Sequence, residues 1–177
     1  MLAWLLSFAV VLVIVPGALL GSVLPASTPD SEEQLLARIQ SERNPVRKAK
    51  DQIQLGRLKL DQAIAAYGQG NSESGEQLLA AFLGQMNDAW QTLHNSGRNA
   101  ARQPQGFKEL DIALRQDARL LEDLERRVSY FDRVPIGKVE KEVEEVRSEV
   151  LRALFPALKS SAPPTHFQRA GEAPVSW

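Results

Sequence analysis

Few side chains in this chain could do chemistry. It has two histidines, His94 and His166, two methionines and no cysteine among 177 residues. The missing cysteine excludes disulfides, thiolate zinc sites, thiol nucleophiles, c-type haem attachment and a lipoprotein cysteine. It does not exclude export, because an oxidising compartment permits disulfides without requiring them. Neither histidine has a glutamate three residues before it, so the Glu-x-x-His pattern of di-iron bundles is absent. Met86 and His94 lie on one helical stretch, about 12 Å apart along its axis, too far to hold one haem iron between them. A histidine near a helix end is more often a cap or a surface residue than a ligand. No nucleophile elbow gives His94 a serine to activate, and no glycine-rich loop could cradle a phosphate. The sequence therefore predicts no enzyme, no metal and no cofactor.

Two features have functional and structural readings side by side. Asp117 is the one polar residue in the series Phe107, Leu110, Leu114, Asp117, Leu121, Leu124, Val128, Phe131. A buried carboxylate there would need a partner and could mark a site. The spacing favours the plainer alternative, in which the stripe drifts by one position and Ala118 turns inward. Arg98, Arg102 and Lys108 gather around the longest break between helices, beside a helix N-terminus, and could hold an anion or a partner's acidic surface. The favoured alternative is a solvated loop whose charges pair with Glu109 or Asp111. Tyr67, Phe82, Trp90, Phe107, Tyr130 and Phe131 could line a ligand pocket, but aromatics at helical spacing are more often core.

The elements that must position these residues are helices. The stripe from Phe107 to Phe131 repeats every three or four residues, and charged side chains fill the other faces, so it needs apolar partners. Asp30 and Glu33 suggest a capping box for a short first helix over 31–43. Asn44-Pro45 reads as N-cap and first residue of a second helix, with the stripe Val46, Ala49, Ile53, Gly56, Leu60, Ala63 and Tyr67. Its small residues at 49, 56 and 63 would let a partner approach closely. Gly68, Gly70 and Asn71 stop it. A third helix over 72–96 carries Leu78, Leu79, Phe82, Leu83, Met86, Ala89, Trp90 and Leu93. After the stripe of Phe107–Phe131, Asp132–Pro135 reads as a tight connection. A last helix then carries Ile136, Val139, Val143, Val146, Val150 and Leu154 and ends at Phe155-Pro156. The fold class is all-α: an antiparallel bundle of four long helices with a short N-terminal helix, over residues 30–156. The runner-up is a helical-repeat fragment, suggested by the turn Tyr67-Gly68-Gln69-Gly70-Asn71, against which stand helices too long for a repeat and the lack of a returning period of about 34 residues.

Outside the bundle, Leu2 to Leu24 is apolar and broken only at Pro16-Gly17. Residues 1–26 read as a signal peptide or an N-terminal membrane anchor. The basic residues begin after this segment, at Arg38, which leaves an anchor with a cytoplasmic domain as a minor option. Residues 157–177, with Pro163, Pro164 and Pro174, read as a disordered tail. Hydrophobic content of 44% and charged content of 24% describe an ordinary globular chain, and a net charge of −1 gives no field to recruit nucleic acid. Arg38 to Lys59 is basic and Leu60 to Gly97 lacks any cation, so these segments are expected to be neighbours with complementary rims. The functional expectation is an exported, periplasmic or secreted, or membrane-anchored interaction or structural module of the cell envelope with a protein partner. Membrane contact would run through residues 2–24. The alternative is a binding protein for a small apolar or anionic ligand, using the bundle interior or the Arg98–Lys108 connection.

Overall fold

The computed structural model describes residues 32–156. The apolar N-terminal segment, the Asp30 half of the first capping box and the proline-bearing tail lie outside the described residues. Among the described residues the chain is all-helical, a bundle of five helices: α1 (Glu32–Ser41), α2 (Pro45–Gly68), α3 (Ser72–His94), α4 (Phe107–Arg127) and α5 (Tyr130–Leu154).

The start of α2 follows from its sequence. The Asn44 side chain accepts from the Val46 and Arg47 N–H groups, and Pro45 occupies the first turn, where no N–H is needed. At its far end Gly70 takes φ +77°, and the Asn71 N–H donates back to the Ala66 carbonyl at 2.9 Å. Asn71 then caps α3 by accepting from the Ser74 N–H. One short turn thus closes α2 and opens α3, which forces the two helices into a hairpin.

The seam between them is close. Ala49, Gly56 and Ala63 are buried, and a Cβ at Gly56 would stand 2.8 Å from Met86 Cε. On α3 the same logic holds at Gly75, where a Cβ would meet the Tyr67 ring at 2.5 Å. Gly75→Ala gains about 1 kcal/mol of helix propensity, but the rigid ring must move, at a typical cost of about 1–3 kcal/mol. We expect a net lower midpoint in urea unfolding; a raised midpoint would mean that the ring swings aside freely.

The second hairpin, α4 with α5, packs on the first. α3 lies against α5 and α2 against α4, while α3 and α4 also meet across the centre and α2 and α5 stand at opposite corners. The antiparallel arrangement therefore holds within each hairpin. Across the hairpins the neighbours run parallel: Gly68 of α2 borders the same hollow as Arg127 of α4, and Glu76 of α3 lines a groove with Pro135 of α5. The long connection from Asn95 to Gly106 makes this possible by crossing the bundle end. The core runs through Phe82, Met86, Leu93, Phe107, Leu110, Leu114, Leu121, Ile136 and Val143, all essentially inaccessible.

α1 runs antiparallel to α2, fixed by Lys59 on Glu32 at 2.6 Å and Arg38 on Asp51 at 3.1 Å. Leu35 is buried beneath it, as is Leu55 on the α2 face turned away from the main stripe. Leu36, next in sequence, is exposed. α2 and α3 are neighbours, as the charge pattern suggested, yet the α2 cations Arg57 and Lys59 pair with α4 and α1. The α2–α3 seam is made of small and apolar side chains.

One boundary differs from the sequence reading. The stripe does not continue to Phe131, and Asp132–Pro135 is not a connection. α4 stops at Arg127, Val128 and Ser129 make the turn, and Pro135 lies in the second turn of α5. Ser129 supplies the reason. Its carbonyl accepts from the Asp132 N–H at 3.1 Å and its hydroxyl donates to the Asp132 carboxylate at 2.6 Å. An acidic residue in a helix's first turn is also favoured by the helix dipole.

Candidate functional site

Asp117 sits mid-way along α4 and is fully buried, at 0% exposure. Ala118 is only partly buried, so the stripe does not drift as expected; the carboxylate itself takes the inward place. Its partner is Arg57, mid-way along the parallel helix α2, whose Nε donates to Asp117 Oδ1 at 3.1 Å. The same guanidinium reaches Gln116 Oε1 through Nη2. Asp117 Oδ2 is buried with no hydrogen-bond partner. Burial pushes the Asp117 carboxyl up to about 6 against the opposing pull of Arg57, with Asp61 adding a further upward push. Desolvation outweighs a single ion pair here because half of the carboxylate is left unsatisfied. The pair joins α2 to α4, with Gln116 on the same guanidinium and Asp61 near enough to act on the carboxylate.

The connection between α3 and α4 holds the three predicted cations. Arg98 Nη2 reaches Gln105 Oε1 at a long 3.5 Å, and Arg98 Nε is buried without a hydrogen-bond partner. Arg102 is exposed, and its N–H donates to the Asn99 side chain and carbonyl. Lys108 is exposed in the first turn of α4. The expected pairing of these charges with Glu109 or Asp111 does not occur. Glu109 instead turns back to accept from the Gly106 N–H at 2.6 Å, and Asp111 accepts from Arg147 Nε of α5 at 3.1 Å. The negative charge at the α4 N-terminus is thus supplied from within the helix, where an external anion would otherwise gain most.

The aromatics divide. Tyr67, Phe82, Trp90 and Phe107 are core, with the Trp90 and Phe107 rings edge to face at 6.2 Å. Burial pushes the Tyr67 hydroxyl up to about 12, helped by Glu76 and Asp132. Tyr130 and Phe131 are 76% and 86% exposed, together with Val134 at 74%. Sequence reasoning placed Phe131 in the core because it extended α4 through the turn. The motif Ser129-Tyr130-Phe131-Asp132, a Ser-x-x-Asp start signal, could have revealed the true boundary.

Among the described residues no three or more His, Asp or Glu side chains stand close enough to hold a metal ion. No helix among them is long and apolar enough to cross a membrane. No family model, curated protein or solved structure matches this chain.

Proposed function

We propose that the chain is an exported interaction or structural module of the cell envelope with no catalytic activity. Its bundle is carried by the apolar segment at residues 2–24, and its partner is an envelope protein. One observation carries this reading: the distinctive polar groups serve the architecture. Asp117 is tied to Arg57, Glu109 caps α4, and Asp111 is tied to Arg147. What the bundle has left to offer is its outer surface. Intact mass of the native protein combined with cell fractionation tests the reading. A mass short by the leader in a soluble extracytoplasmic fraction, or a full-length mass in the membrane with the bundle open to protease from outside the cell membrane, agrees with it. A full-length chain in the soluble cytoplasm ends it. Crosslinking in the fraction where the protein is found then seeks the partner.

The alternative, a ligand-binding bundle, finds less support. Side chains such as Phe82, Met86 and Leu114 fill the centre, and Glu109 already satisfies a donor at the start of α4. Millimolar sulfate is expected to leave the melting temperature unshifted. A rise that disappears in Arg98→Ala with Arg102→Ala would restore the Arg98–Lys108 connection as an anion site.

A further inference from the structure

We infer that the end of the bundle at the α4–α5 turn seats on a lipid bilayer, with Tyr130, Phe131 and Val134 entering its interface. This inference rests on the envelope reading in the form in which residues 2–24 are retained as a membrane anchor; a chain found without its leader in a soluble fraction overturns the inference and leaves the envelope reading standing.

The first observation is the patch itself. Tyr130, Phe131 and Val134 project from the first turns of α5 at 74–86% exposure, and the two rings stack edge to face with centroids 6.0 Å apart. Tyrosine beside phenylalanine is the composition that membrane interfaces favour, with an apolar body below and a hydroxyl at the headgroups. Arg127 and Arg133 flank the patch in sequence, and their stems can lie along an apolar surface while the guanidinium groups stay wet. The same end also carries acids: Glu73 and Glu76 at the start of α3, and Asp132 and Asp123 beside the turn. Hydrogen bonds from Ser129 and Ser72 lower the Asp132 carboxyl below its ordinary value, so it stays charged at the rim of the patch, and Asp123 pairs with Arg126 at 3.0 Å.

The second observation is where the chain enters. The Lys59–Glu32 pair puts the start of α1 beside the later part of α2, nine residues before Gly68 and so about 14 Å along the axis from that end. Because α1 runs antiparallel to α2, Glu32 is the residue of α1 nearest the end that carries Tyr130 and Phe131. Residues 25–31 can span about 23 Å when extended. The uncharged apolar run Leu2–Leu24 therefore begins within reach of the same end as the patch. A second copy of the chain is a poorer occupant. Three side chains fall well short of the roughly 1,200–2,000 Å² that a stable protein interface buries, whereas insertion into lipid needs no complementary surface.

The chain contains no cysteine, so Phe131→Cys can carry a single environment-sensitive fluorophore, with Arg102→Cys at the opposite end as control. The full chain is incorporated into vesicles of phosphatidylethanolamine and phosphatidylglycerol, with and without brominated lipid. The label at 131 is expected to shift to the blue and to be quenched by brominated lipid several-fold more than the label at 102. Adding Tyr130→Ser and Val134→Ser should remove that quenching with helix content unchanged by circular dichroism. A 131 label as open to aqueous iodide on vesicles as in detergent-free solution overturns the inference. So does equal quenching at 102, or quenching that depends only on a second labelled copy. Fractionation separates the two readings. A membrane-bound native chain with a water-exposed tip sinks the tip alone, whereas a native chain confined to the soluble cytoplasm sinks the envelope reading.

Discussion

Replacing Asp117 by Leu is expected to raise the melting temperature by about 5 °C or more at pH 8 and to change it little at pH 4. The carboxyl is pushed from 3.8 to about 6 in the folded chain. The folded state therefore holds this proton more tightly than the unfolded state does. The native protein gains stability from this group as pH falls through 6, and the gain is complete below 3.8. Above 6 the buried charge costs the folded state about 3 kcal/mol relative to low pH. Leucine carries no such cost and removes the unpaired Oδ2. Arg57, at the bundle surface, keeps Gln116 as a partner and has water nearby. Removing one partner of a buried ion pair is costly when the charge left behind is itself buried; Arg57, 41% exposed, is not. Asp117→Asn keeps the shape and should flatten the pH dependence without the gain in packing. Thermal melts of the three proteins at pH 4, 6 and 8 decide it. A Leu variant less stable than the native chain at pH 8 would show that the Arg57 pair is a net tie between α2 and α4.

Gly106→Ala should cost about 3 kcal/mol or more, from two sources that a control can separate. Gly106 holds φ +85°, a region that costs an L residue about 1–3 kcal/mol. A Cβ there would also stand 2.6 Å from Leu93 Cδ2, in the packed end of the core, and such overpacking adds about 1–3 kcal/mol. Gly97 has φ +71° with nothing within 4 Å of an added Cβ. Gly97→Ala should therefore show the backbone cost alone, about 1–2 kcal/mol. Chemical denaturation of both variants measures the difference. Equal losses would mean that Leu93 yields without cost and that the bundle end is loosely packed.

The same two sites show what could be read from residue order. The periodicity of Phe107, Leu110, Leu114, Leu121 and Leu124 named the inner face of α4, and every one of them is buried. Asn44-Pro45 and Gly70-Asn71 marked helix ends because their side chains and backbone freedom act within a few residues. The turn at Val128–Ser129 was missed. Apolar spacing continues across it to Phe131, and the Ser129-x-x-Asp132 start signal is weaker than a stripe. Pro135 then looked like a breaker although it falls early in α5.

Local order therefore determined the all-helical class, the inner faces and most helix ends, since propensity, capping and periodicity act over a single turn or two. Tertiary structure decided which helices lie side by side. It also decided that α2 and α4 run parallel, that Asp117 meets Arg57 across sixty positions of sequence, and that Tyr130 and Phe131 are left uncovered. Those outcomes depend on how two hairpins close over one another. That is a packing choice among distant surfaces, and no window of residues along the chain contains it.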